Sequence, residues 1–240
     1  MKIFITLILI SCLVLSIVFC SDKTSVSSGK VPSQTQQILG LAQSHANLYQ
    51  QFDSVISYSP VYEITVDTSL VTLVIEDADQ SGTHYDIGFP SERLAHLIIT
   101  TNSVAMTGYY QKINGQDSLF YFIDIPEILP SHIAKGNTWS FYVPPLHRDG
   151  KEIVTTFLDY GFGYDVTRTY MGTEDIVVPA GAYTAHVIQS EYRLHGSSDV
   201  IKADTEYLVS GIGLVRLDSA GRFGSAHIFL IQTDPLQSQD

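Results

Sequence analysis

Histidines, carboxylates and hydroxyls are the groups from which this chain would have to build any chemistry. Its two cysteines, Cys12 and Cys20, both lie near the N-terminus. The remaining sequence therefore excludes disulfides, thiolate nucleophiles and cysteine-held zinc or iron–sulfur centres. The histidines are His45, His84, His96, His132, His147, His186, His195 and His227. No two of them share the close spacing on one element that a metal-ligand pair needs. No His-Glu-x-x-His motif and no phosphate-cradling glycine loop occurs. The nearest approach to a Gly-x-Ser-x-Gly nucleophile elbow is Leu217-Asp218-Ser219-Ala220-Gly221. It lacks the first glycine and falls in an expected hairpin. The acidic run Glu76-Asp77-Ala78-Asp79-Gln80-Ser81-Gly82 opens like a calcium loop, but Gly88 stands where the bidentate Glu belongs. Turn roles for Asp and Gly account for it. The reading is a protein that is not an enzyme, with no catalytic residue, no metal and no cofactor.

The residues suited to binding are aromatic. Tyr109, Tyr110, Phe120, Tyr121, Phe122, Trp139, Phe141 and Tyr142 fall on three expected strands, read as adjacent. If the sheet curls, one set faces inward and either lines an apolar cavity or fills an ordinary core. The candidate hydrophobic-ligand residues are Tyr109, Tyr110, Phe120, Phe122, Trp139 and Phe141.

The elements that would position them are nearly all strands. Period-two patterns and turn signals predict Val61–Asp67, Leu70–Ile75, Tyr85–Phe89, Leu97–Thr101, Val104–Gln111, Ser118–Ile125 and Thr138–Val143. They continue with Glu152–Tyr160, Asp165–Met171, Asp175–Val178, Tyr183–Leu194, Val200–Ser210, Leu214–Asp218 and Arg222–Gln232. Asn114-Gly115 suits a type I′ hairpin. Ser210-Gly211-Ile212-Gly213 suggests a bulge or strand corner. Pro126 to Pro130 and Pro144-Pro145 read as breaks. One helix is expected over 38–55, because Ile38, Leu41, Ala42, His45, Leu48, Tyr49, Phe52 and Val55 recur at three- and four-residue spacing. It could plug an open face of the sheet, with Ser33 as N-cap. The fold class is all-β: a curved antiparallel sheet, half-barrel or open barrel or sandwich, with one N-terminal amphipathic helix.

The 240 residues, 45% hydrophobic and 16% charged, fit one globular domain. A net charge of −12 without a basic run repels phosphate backbones, so nucleic acid is not an expected partner. Lys2 followed by the apolar Ile3 to Phe19 and a polar stretch after Cys20 reads as a secretory signal over 1–20. At about 17 residues the run is also at the short limit for a retained membrane anchor. A Cys ending such a run resembles a lipobox, which would make Cys20 the acylated anchor. Cys12 fits the small-residue pattern better but leaves Leu13 to Phe19 exposed. Residues 21–37 read as a flexible tether, 56–233 as the β-domain and 234–240 as a tail.

The order Leu129-Pro130, Gly136 to Trp139, Val178-Pro179-Ala180-Gly181, Glu206-Tyr207 and Gly211 to Val215 resembles a family of exported bacterial lipoproteins with an uncharacterised β-domain, the TapB-like proteins. The likeness spans roughly residues 120–232, and Leu208 departs from it where a Trp is expected. It implies a curved antiparallel sheet and carries over no catalytic residue. The expected function is a lipid-anchored envelope protein, facing the periplasm or cell surface, that binds a hydrophobic ligand or lipid. The alternative is a structural accessory that recruits an envelope protein partner; a hydrolase of envelope polymers ranks below both.

Overall fold

The computed structural model describes residues 33–41, 45–57, 63–77, 84–89, 93–99, 103–113, 116–148, 151–153, 163–221 and 224–235. The signal segment 1–20 with Cys12 and Cys20, the tether up to residue 32, most of the acidic loop after Asp77 and the Asn114-Gly115 turn lie outside these residues. Within them a short helix, α1 (Gln34–Ile38), is followed by strands only. These are β1 (His45–Ser57), β2 (Glu63–Asp77), β3 (His84–Phe89), β4 (Arg93–Ile99), β5 (Ser103–Ile113), β6 (Gln116–Tyr121), β7 (Glu127–Pro130) and β8 (Thr138–Val143). Then come β9 (Leu146–Arg148), β10 (Lys151–Ile153), β11 (Tyr164–Val178), β12 (Gly181–Leu194), β13 (Val200–Val209), β14 (Gly213–Gly221) and β15 (Gly224–Pro235).

They form one curved antiparallel sheet in the order β10-β9-β6-β5-β4-β3-β2-β1-β15-β14-β13-β12-β11-β8, with β7 added beside β5. The path has two ends, β10 and β8, so no backbone ladder closes it into a barrel. Sequential strands pair antiparallel, as in β5–β6, where Ile113 stands opposite Gln116. β1 joins the two meanders, pairing with β2 on one side and β15 on the other. The interior is filled at Leu129, Ala185, Ile188, Val215 and Leu230, all 0% exposed. The turn of the β11–β12 hairpin reaches β15, where the Ala180 N–H donates to the Leu230 carbonyl.

The helix expected over 38–55 is not formed. Helix ends at Ile38, and His45–Ser57 is strand. Two features decide this. Gly40 sits at φ +74°, where a Cβ would lie 2.7 Å from the Ile212 carbonyl carbon, so the chain turns at a point of close backbone approach. Beyond it, Asn47 and Tyr49 are buried while Ala46, Leu48 and Gln50 are half-buried, a period of two hidden in a sequence that also satisfies a helical spacing. Their polar groups are met by the sheet: Asn47 Nδ2 donates to the Ile212 carbonyl at 3.0 Å and Tyr49 Oη to the Leu214 carbonyl at 2.7 Å. Ser33 is an N-cap, in a capping box with Gln36, but of the short helix. That helix begins inside the segment read as tether. The expected plug survives on a smaller scale, since Ile38, Leu39 and Leu41 are buried in the core.

Other boundaries also move. Val61–Asp67 and Leu70–Ile75 fuse into β2, and the two strands read over 165–178 are one, β11, bulged at Met171. The expected break from Pro126 to Pro130 holds a short strand, β7, whereas Pro144-Pro145 does separate β8 from β9. The β-domain starts at His45 rather than residue 56, and β15 runs into the expected tail.

Candidate functional site

On β13 the side chains Lys202, Asp204, Glu206 and Leu208 alternate onto the inner face, and all four are buried. The register sets Asp204 between Ser190 of β12 and Ser219 of β14, and sets Ser190 beside Arg168 of β11. The result is a polar row inside the sheet with two cations and two carboxylates. Charges taken out of water persist only when paired and hydrogen-bonded. Lys202 Nζ donates to Asp204 Oδ2 at 2.7 Å and stands 4.7 Å from the Tyr192 ring. Arg168 Nη2 donates to Glu206 Oε2, and its Nε donates to Ser190 Oγ at 3.1 Å.

The remaining arm of Arg168 leaves its own half of the sheet. Nη1 donates to the Ile128 carbonyl at 3.0 Å, and the same oxygen accepts from Trp139 Nε1 at 3.2 Å. Ile128 belongs to β7, whose ladder with β5 pairs Val104 with Leu129 and Ala105 with Glu127 and passes over Ile128. A bulged residue has no ladder duty, so its carbonyl is free to face another element. Trp139 on β8 lies directly opposite Arg168 on β11, with the guanidinium 5.9 Å from the indole ring. Helix α1 holds β7 from another side, through Thr35 Oγ1 donating to the Pro130 carbonyl at 2.6 Å. Among the described residues, Glu206 Oε1 and Ser219 Oγ are buried polar atoms without a hydrogen-bond partner.

The aromatic candidates are divided by this geometry. Phe120 and Phe122 are buried. Trp139 and Phe141 are half-buried and pack on the cluster that contains Phe122 and Ile128. Tyr109 and Tyr110 stand opposite Phe120 and Leu119 in the β5–β6 ladder. The three strands are not adjacent as read from the sequence: β8 pairs with β11 at the far end of the sheet path. Trp139 nevertheless meets the β5–β6 side, because curvature brings β7 to it. Cys20 lies outside the described residues.

A second polar chain occupies the other end of the inner face. Tyr170 Oη is hydrogen-bonded to His186 Nδ1 at 2.7 Å, and Ser210 Oγ to His186 Nε2 at 3.3 Å. Burial lowers the imidazole pKa and raises that of the phenol, so both are neutral near pH 7. A hydroxyl, an imidazole and an orienting partner could in principle activate a nucleophile. Acyl transfer also needs free donors for the oxyanion. Here Gly211 N–H donates to the Gln37 carbonyl and Ile212 N–H to the Val209 carbonyl, so the two amides after Ser210 are already engaged. Among the described residues no group of three His, Cys, Asp or Glu gathers as metal ligands.

Sequence reasoning missed Arg168, Glu206 and Ile128. The run Lys202-x-Asp204-x-Glu206 reads as a solvated strand face. The contrary signal was the opposite face, Ala203, Thr205, Tyr207 and Val209, which carries no charge at all.

No family model matches the chain, and no curated protein does. The TapB-like resemblance thus gains no support from either. Among solved structures the chain is similar to a protein of Parabacteroides distasonis named as a lipoprotein, at 10% identity and TM-score 0.41, over 85% of this chain and 100% of that one. It is similar to an exported protein of Bacteroides fragilis with a YmcC-like fold, at 11% identity and TM-score 0.36, over 78% of this chain and 95% of that one. A third is the hypothetical lipoprotein YmcC from Escherichia coli, at 12% identity and TM-score 0.37, over 84% of this chain and 89% of that one. Likenesses of this size assign neither a family nor an activity.

Proposed function

We propose that this chain is an exported envelope protein, anchored through acylated Cys20, whose β-domain binds a hydrophobic ligand such as an acyl chain without catalysis. The observation that carries the reading is the placement of Trp139 and Phe141, half-buried on the last strand of an open sheet and packed on its core. An apolar chain laid there would gain about 0.8 kcal/mol per buried CH₂. The acidic surface disfavours nucleic acid and anionic lipid surfaces alike, so the lipid anchor rather than charge would hold the protein at the periplasmic or outer face of a membrane. Native mass spectrometry of the gently purified protein tests this. A reproducible added mass, identified as lipid after solvent extraction and lost in Phe141→Ser, is expected. A bare mass under several mild conditions would sink the reading.

One observation favours a structural accessory role instead. β8, uncharged from Thr138 to Val143, ends the described sheet path, whereas β10 at the other end is three residues long and carries Lys151 and Glu152. Edges without such charges can accept a partner strand. Crosslinking in membranes from a cysteine placed at Thr138 would capture a defined protein partner under that reading.

A further inference from the structure

We propose that Arg168 is a latch: together with Trp139 it closes the open sheet onto the bulged carbonyl of Ile128, and the seam it closes, between β7 and β8, is the passage to the hydrophobic interior. The inference rests on the ligand-binding reading above and assigns the way in.

Elsewhere in the described sheet, neighbouring strands are joined by backbone pairing, in ladders for all but β6 and β9, which share the one pair Tyr121 and His147. Between β7 and the β8–β11 pair, two side-chain donors from the far side converge on one oxygen. Parting two laddered strands breaks many backbone bonds together, whereas at this seam the bonds to the Ile128 carbonyl come from side chains that can swing away. Regions held by few such contacts open locally at low free energy. The guanidinium is placed for the task by three elements. Glu206 on β13 neutralises it, Ser190 on β12 fixes Nε, and the Trp139 ring lies against it. The bulge that frees the Ile128 carbonyl serves the latch and has no use in the β5–β7 ladder. Around the seam stand Phe122, Ile128, Trp139 and Phe141, all in or against the core cluster, so a ligand that parts it meets apolar surface at once. Glu206 already balances the charge of Arg168, which leaves an aliphatic chain, rather than an anion, as the occupant that fits.

Trp139 is the only tryptophan in the chain, so its emission reports this seam alone. The test compares the full-length wild-type protein with Arg168→Met/Glu206→Leu, which removes both charges at similar volume and leaves neither buried alone. Hydrogen exchange is read in β7 and β8 against β14 and β15. Association of cis-parinaric acid is followed by energy transfer from Trp139. Expected are exchange faster by about tenfold or more in β7 and β8, unchanged exchange in β14 and β15, and a comparable rise in the association rate. Uniform or absent acceleration of exchange would overturn the latch, as would an unchanged association rate beside a loosened seam. A loosened seam with no parinarate bound by either form would overturn the ligand reading while the latch stands. Should the double variant fail to fold, Trp139→Phe deletes one of the two donors and leaves the ion pair. Exchange in β7 and β8 alone must then rise, by a smaller factor, and a flat profile would refute the proposal.

Discussion

Two arginines of one sheet make the same kinds of contact on opposite faces. Arg168 points inward, 3% exposed, to Glu206, with Trp139 against it. Arg216 points outward to Asp218 at 2.6 Å, with the rings of Tyr207 at 4.8 Å and Phe229 at 5.6 Å. Chemistry alone does not separate them; solvent does. Outside, the pair is half-buried, with side chains 33% and 22% exposed, so water reaches it, screens it and can solvate a partner left alone. Inside, losing one partner strands a charge in a poor solvent. The inner arginine also holds a carbonyl of another element, and the outer one stays on its own meander. Similar pairs can thus differ between ornament and joint.

The comparison is sharpest for Glu206→Leu, which leaves Arg168 buried with no countercharge. A loss of about 3–5 kcal/mol is expected, read as a lowered urea midpoint. A value near that of an exposed pair would break the contrast. Gly213→Ala should come next. Its φ is +84° and a Cβ would stand 2.7 Å from the Leu39 carbonyl oxygen, so α1 must shift, at about 1–3 kcal/mol. Arg216→Ala should cost about 1 kcal/mol or less, and the difference should shrink as salt is raised.

His186 offers the smallest effect, one of slope. Burial sets its folded pKa below the unfolded value of about 6.5. As pH falls through that window the unfolded chain takes up the proton first, so stability declines, and below the folded pKa the decline stops. His186→Gln should flatten this part of the profile between about pH 7.5 and pH 5.5 in urea titrations. An unchanged slope would place the acid sensitivity elsewhere.

These residues also show what was legible beforehand. Thr138–Val143 is strand from its first residue to its last, because β-branched and aromatic side chains alternate without competing signals. The expected β5–β6 hairpin pairs Ile113 with Gln116. Residues 45–57 satisfy two periods at once, and the deciding contacts, from Asn47 and Tyr49 to Ile212 and Leu214, span most of the chain. The latch was illegible for a similar reason. The uncharged opposite face of β13 is the one local sign that Glu206 faces inward. Its partner is on another strand, and the carbonyl that completes the site has no side-chain identity. The aromatic residues were found, but their neighbours were not, since the sheet order places β8 beside β11.

The position of β1 has a consequence for how the chain assembles. Its partners are Glu63–Asp77, near in sequence, and β15, with His45 opposite Pro235. The first meander can form while the rest of the chain is still being made, but its inner edge must stay bare until β15 arrives. Pairings of such long range are slow, and unpaired edges collect other chains while they wait. A polypeptide that stopped before Gly224 would lose only one strand, yet β1 and β14 would both be left as open edges in the middle of the sheet. β15 thus joins the two halves of the sheet, and a chain lacking it should be found aggregated or degraded rather than folded with reduced stability.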